Sequence, residues 1–306
     1  EGLSKKLVDP EWKPDFGPSK FNKSVEKSGV TGISARDFLV AYNINLNTTS
    51  TRRANAVAFD IREAGRIKRE GGTLSGKIMK DEDGNPLKEP GLFKAVKGIG
   101  WYIEEYGVAQ ISYNLTDINI SPLHEVFDKT CERSISRGMR VTGSELIGLV
   151  PKKVLIDAGK HFLKKQERST GINESEIIKI AIKTLGLEEL APFDPQERII
   201  EYMLENDANK PLVNMTLTGF ANETASESPA PGGGSIAAYC GAMGISLGTM
   251  VANLSAHKRG WDDKWEEFSN WAEKGMEYQN TLLGLVDEDT NAFNKIMDAF
   301  RLPKDT

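Results

Sequence analysis

Ser228-Pro-Ala-Pro-Gly-Gly-Gly-Ser235 runs directly into Ile236-Ala-Ala-Tyr-Cys-Gly-Ala-Met-Gly-Ile-Ser-Leu-Gly-Thr-Met-Val-Ala-Asn-Leu254, a run without one charged residue. Three consecutive glycines strip a loop of side chains and let its backbone N–H groups approach a ligand closely. Ser235 then stands where a helix N-cap belongs. A glycine loop that opens a helix is a ready site for an anion or a polar ligand, so Gly232, Gly233, Gly234 and Ser235 are candidate binding residues. As a helix, Ile236–Leu254 would measure about 29 Å, enough to cross a bilayer. It carries Gly244-x-x-x-Gly248, a spacing of close-packed helices. Its many Gly, Ala, Ser, Thr and Asn residues partition weakly into lipid, and a soluble helix buried on all sides explains them as well. His257-Lys-Arg-Gly260 breaks that helix, and Trp261–Phe300 resumes a helical pattern. No strand alternation recurs, so the C-terminal part reads as all-α.

The N-terminal part reads differently. Residues 1–33 hold Pro10, Pro14, Pro18 and Gly17 without a period, as an extended leading segment. In Asp37–Leu46, Phe38, Val40, Tyr42, Ile44 and Leu46 alternate with Asn43 and Asn45, the pattern of a strand. A helix is expected over about Thr51–Lys68, a loop or hairpin over 71–91, and strands over Phe93–Glu104 and Val108–Leu115. Pro122 opens a helix to about Arg137, and Met139–Val150 is a strand interrupted near Gly143-Ser144. The order β-α-β-β-α-β predicts an antiparallel sheet with helices on one face, the ferredoxin-like arrangement. Helical patterns follow at Lys152–Lys165, Glu174–Leu185 and Pro195–Leu204, and Leu212–Ala225 is a short helix candidate. The chain is therefore α+β: residues 1–205 with the sheet, a linker at 206–213, and a truncated helical bundle at 214–306.

With 306 residues, two domains are expected. A net charge of −5 and a pI near 5.5 argue against nucleic acid as a partner. Cys131 and Cys240 are the only cysteines, which fits a reducing compartment. No charged-then-apolar leader opens the sequence, so a cytoplasmic protein without a membrane anchor is expected, and triplets such as Asn47-Thr48-Thr49 are discounted as glycosylation sites. The abrupt ends, with no initial Met, suggest a fragment.

Asp289 is the most informative single position. Leu282, Val286, Asp289, Phe293, Ile296 and Phe300 follow steps of four and three, the seam of a bundle, and the acid is its one polar member. A carboxylate on a core stripe is costly unless it is paired or performs chemistry, and burial would fit it to accept and return a proton. Asp287 and Glu288 fall off the stripe and are expected in solvent. His124, His161 and His257 show no metal-ligand spacing, so no metal is expected. Gly98-Ile-Gly100-Trp101 leads into a strand and lacks the rest of a dinucleotide fingerprint; the triple glycine lacks a Walker lysine.

The motifs Pro14-Asp-Phe-Gly-Pro18, Ala35-Arg-Asp-Phe-Leu39, Asn43-Ile-Asn-Leu46, Gly98-Ile-Gly-Trp-Tyr102 and Gly148-Leu-Val-Pro151 form a series along the chain. It continues in Pro192-Phe-Asp-Pro-Gln-Glu-Arg-Ile-Ile-Glu-Tyr202, Ala230-Pro-Gly-Gly-Gly-Ser235 and Arg301-Leu-Pro-Lys304. In these the sequence resembles the formiminotransferase-cyclodeaminases, bifunctional folate enzymes of histidine degradation. The resemblance implies transfer of the formimino group of N-formimino-L-glutamate to tetrahydrofolate, here a substrate. It also implies cyclisation of 5-formimino-tetrahydrofolate to 5,10-methenyl-tetrahydrofolate with loss of ammonia. It maps the folate-binding segment onto Gly17, Pro18, Ser19, Lys20 and Phe21 through Gly29, and the cyclodeaminase aspartate onto Asp289. The transferase histidine belongs to a preceding subdomain, so neither His124 nor His161 is assigned its role, and the piece alone is expected to lack activity. The family also implies a homo-oligomer. The rival expectation is a non-catalytic folate-binding or assembly module.

Overall fold

The structure, a computed structural model, describes residues 2–72, 75–204 and 210–303. Two compact units divide the chain, residues 1–37 and residues 38–306. The first contains helices α1 (Gly2–Lys6) and α2 (Lys23–Ser28). Asn22 caps α2 by accepting from the N–H groups of Ser24 and Val25, both at 2.9 Å, and Gly29 ends it at φ +69°.

The second unit begins with β1 (Val40–Leu46), α3 (Thr51–Ile61) and a small hairpin of β2 (Arg66–Ile67) and β3 (Lys88–Glu89). Next come β4 (Val96–Ile103), β5 (Val108–Leu115), α4 (Leu123–Ile135) and β6 (Val141–Ile147). Strands β4, β5, β1 and β6 lie in that order in one antiparallel sheet. Alternation in β1 sends Val40, Tyr42, Ile44 and Leu46 into the core beneath α3 and α4. Phe38 lies before the strand and is exposed, a correction to its expected place on that face. Two buried tyrosines keep their hydroxyls satisfied: Tyr42 donates to Ser144 Oγ at 2.9 Å, and Tyr113 shares a 3.1 Å bond with Thr130.

Two expected features change. Helix α3 stops at Ile61, not Lys68, because Gly65 turns at φ +58° and the backbone of Glu89 lies where a Cβ would sit. Strand β6 runs unbroken through Gly143-Ser144, and the irregularity appears as a register shift at Asn45/Leu46 on its partner. Gly100, read in the sequence as half a fingerprint, admits α3: a Cβ there would meet Asn55 N at 2.5 Å. The Asn55 side chain instead bonds both the N–H and the C=O of Gly100, each at 2.9 Å.

Helices α5 (Lys152–Lys165) and α6 (Glu174–Leu185) match their predicted ranges, and α7 (Pro195–Arg198) and α8 (Ile200–Leu204) split the third. The split falls at Ile199, which bridges Val150 in parallel. Of the expected linker, residues 206–209 lie outside the described residues. The remainder is helical: α9 (Leu217–Thr224), α10 (Gly233–Ala256) and α11 (Trp265–Phe300), with α10 and α11 packed along each other.

The turn Ser169-Thr170-Gly171 between α5 and α6 seats on this helical pair. Thr170 N donates to Ser269 Oγ at 3.0 Å, and Asn253 Nδ2 donates to Gly171 O at 2.7 Å. A Cβ on Gly171 would lie 2.2 Å from the backbone carbon of Ala272. Gly171→Ala should therefore lower stability by about 2 kcal/mol, the cost of overpacking a closed contact. Urea unfolding measures it, and an unchanged midpoint would show that the turn and α11 do not hold this contact in solution.

Candidate active site

Gly232, not Ser235, is the N-cap of α10, and the helix begins at Gly233. Ser235 sits one turn further in and is fully buried, so it points away from solvent. Its hydroxyl donates to Val286 O on α11 at 2.7 Å and lies 3.3 Å from both Asp289 Oδ2 and Thr290 Oγ1. Its backbone N–H donates to Asp289 Oδ2 at 3.0 Å. The first N–H groups of a helix have no partner within it, and the helix dipole favours an anion there. Asp289 supplies that anion from the neighbouring helix.

Glycine is required for this meeting. A Cβ at Gly234 would fall 2.2 Å from Asp289 Oδ1, and one at Gly232 would touch Oδ2 at 3.7 Å. A cavity of about 480 Å³ opens beside the carboxylate, lined by Gly234, Ala237, Ala238, Leu282, Leu285 and Glu288 among others. Its walls are mostly apolar, with the carboxylates of Asp289 and Glu288 as the charged groups, a composition common to pockets for small organic ligands.

Two expectations about α11 are overturned. Asp289 is exposed, not sunk in a core seam; only Val286 of that stripe is fully buried, and Phe293, Ile296 and Phe300 face outward. Among the described residues no helix covers that side of the stripe, so periodicity alone overstated its burial. Asp287, expected in solvent, is the buried acid: it accepts from Leu212 N at 2.8 Å and Val213 N at 3.1 Å. It ties the segment leading to α9 onto α11, beside the cluster of Leu212, Ala238 and Val286. Helix α10 is likewise not buried on all sides. It turns Ala238, Ala242, Thr249, Ala252 and Ala256 inward and leaves Met243, Leu247, Met250, Val251 and Leu254 exposed. By length and hydropathy it is the one helix among the described residues that meets the criterion for a membrane span.

A family model described as formiminotransferase domain matches residues 41–205, and one described as formiminotransferase-cyclodeaminase matches residues 216–306, which include the glycine turn and Asp289. The chain belongs to the formiminotransferase-cyclodeaminase family. The formimidoyltransferase-cyclodeaminase of Gallus gallus is 40% identical over 307 residues, all of this chain and 52% of that protein. That of Mus musculus is 38% identical over the same extents. A methenyltetrahydrofolate cyclohydrolase of Methylorubrum extorquens is 39% identical over 93 residues, 30% of this chain and 45% of that protein. The chain spans about half the length of the formimidoyltransferase-cyclodeaminases it matches.

The sheet of this family member carries a second polar constellation that the sequence pattern did not reveal. On the face opposite α3, Gln110 Nε2 donates to Asn45 Oδ1 at 2.8 Å and to Glu145 Oε1 at 2.7 Å. Trp101 Nε1 donates to Gln110 Oε1 at 3.0 Å, and Asn45 Nδ2 to Glu189 Oε2 at 2.7 Å. Asn45 and Gln110 are fully buried. The signal was present as polar residues on the second phase of β1 and β5, which a half-exposed sheet face explains equally well. Gly17, Pro18, Ser19, Lys20, Phe21 and Gly29 lie on exposed backbone of the first unit, Gly17 at φ +85°.

The histidines are elsewhere. His124 and His161 stack with ring centres 4.4 Å apart, and His161 Nε2 meets Asp128 Oδ2 at 2.7 Å. Burial, then the neighbouring His161, brings the pKa of His124 down to about 4. An unfolded histidine protonates near 6.5, so between the two values the unfolded chain binds the extra proton and gains. Stability contributed by neutral His124 should thus be present above pH 6.5 and fall as the pH drops toward 4. His124→Gln should flatten that part of the urea-midpoint profile; the same slope in the variant would rule His124 out as its source.

Proposed function

We propose that the helical part of this chain carries the cyclodeaminase reaction, closing 5-formimino-tetrahydrofolate to 5,10-methenyl-tetrahydrofolate with release of ammonia. The observation that carries it is the Asp289 carboxylate, held on the Gly232–Ser235 turn at the edge of a largely apolar cavity. The folate N10 attacks the protonated formimino carbon and forms the new C–N bond. Asp289 takes the N10 proton and returns it to the amino group on that carbon. The C–N bond to this group then breaks, ammonia leaves, and the N5 electron pair completes the methenyl cation. One carboxyl thus acts as base and then as acid. Gly232, Gly233 and Gly234 bound the ligand, while Ser235 positions the carboxylate.

In the same reading, residues 38–205 supply the tetrahydrofolate side of formimino transfer from N-formimino-L-glutamate, with glutamate released. Gly17–Phe21 and Gly29 contribute folate contacts. The order β1-α3-β4-β5-α4-β6 and the strand order β4-β5-β1-β6 support a ferredoxin-like subdomain, with residues 1–37 leading into it and residues 206–213 linking it to the helices. The exposed apolar face of α10 supports assembly with further copies of the chain. Two free cysteines support a reducing, cytoplasmic setting. No metal enters the scheme.

Protein made from the complete reading frame and given 5-formimino-tetrahydrofolate should form methenyl product and ammonia in equal amounts. Folate binding without either product would favour the non-catalytic module instead.

A further inference from the structure

A cavity of about 930 Å³ lies between α3 and the β2–β3 hairpin, lined by none of the residues of the Asp289 turn. Its charge is one-sided. Arg52, Arg62, Arg66, Lys68 and Arg69 line it, against only Asp60 and Glu89. Asp60 is already shared between Arg66 and Arg137, so one carboxylate serves two guanidinium groups. Among the described residues, the side chains of Arg52 and Lys68 make no hydrogen bond or ion pair. Arg62 lies over the Phe59 ring at 3.9 Å, fixed by bonds to Gly65 O and Gly98 O, so the cavity also has a rigid aromatic wall. Burial pulls both Arg62 and Arg66 below the ordinary arginine value, Arg66 further through Arg137. Cations crowded and partly dried without enough counter-charge are stabilised by an incoming anion. The chain as a whole is acidic, at −5, so this excess is local.

We propose that this cavity binds a small, multiply charged oxyanion of metabolite size, a phosphate ester or a polycarboxylate. Arg52 and Lys68 supply free donors at the wall, Arg66 and Arg69 add charge, and Phe59 packs against the ligand's uncharged body. The volume suits a ligand of this class. The site does not depend on the folate reading of the helical part.

Calorimetric titration of the full chain with sodium pyrophosphate, and separately with citrate, tests it. At least one should bind with one-to-one stoichiometry and weaken with added salt. Pyrophosphate alone assigns the phosphate-ester source, citrate alone the polycarboxylate source, and both assign the shared charge chemistry. The double variant Arg52→Ala, Lys68→Ala should weaken binding at least about tenfold, the loss of two charge-assisted contacts. Both side chains are exposed and have no bonding partner among the described residues, so the fold should be intact, and Asp289→Asn should bind as the wild type does. Failure of both anions to bind, or undiminished binding by the double variant, would overturn the proposal.

Discussion

A single methyl group at position 234 should switch off ammonia release. Gly234→Ala places a Cβ 2.2 Å from Asp289 Oδ1, well inside contact distance, so the carboxylate must leave the turn. With it goes the 3.0 Å bond from Ser235 N that fixes the orientation of Asp289. Alanine in the first turn of α10 is otherwise favourable, since it restricts the unfolded chain and prefers helix. The expected outcome is a fall in cyclodeaminase kcat of at least about 100-fold, the usual worth of a positioned acid–base group, with little change in melting temperature. Steady-state kinetics and a thermal melt on the same preparation check both halves. Activity within threefold of wild type would mean that the close approach of the two helices does not matter to the chemistry.

Strands β1 and β5 were legible because two-residue alternation and turns pin them, whereas the break expected in β6 at Gly143-Ser144 is replaced by a register shift on its partner. The helix limits Lys152–Lys165 and Glu174–Leu185 were legible for a similar reason: a proline or an asparagine stands at each start and a glycine or a charged tail at each end. Burial on the long helices was not. Steps of three and four identify an apolar stripe, but whether it is covered depends on a neighbour. Past Thr290 no neighbour among the described residues covers that side of α11, and Phe293 and Ile296 are exposed. For the same reason Asp287 and Asp289 exchanged their expected surroundings: the segment at Leu212–Val213, distant in sequence, covers one and not the other. The glycine turn and Asp289 were each singled out in the sequence, whereas the bond between Ser235 and α11 was not. The Ser235 side chain reaches sideways to Val286 O because the cap lies three residues earlier, at Gly232. The polar network around Gln110 needed the strand register to become visible, since its members come from four strands and the segment after α6.

The second large effect belongs to Asp289 itself. An asparagine there keeps the shape and still accepts from Ser235 N, so the turn should persist. What it removes is the ability to take the N10 proton and hand it to the departing nitrogen. The cavity walls, Ala237, Ala238, Leu282 and Leu285, are untouched, so substrate should still enter. The decisive measurement is therefore the split between kcat and KM for ammonia release from 5-formimino-tetrahydrofolate, in wild type and Asp289→Asn protein made from the complete reading frame. We expect kcat to fall by at least about 100-fold with KM within a few-fold. An Asp289→Asn protein that releases ammonia at the wild-type rate would contradict the assignment of proton transfer to this residue.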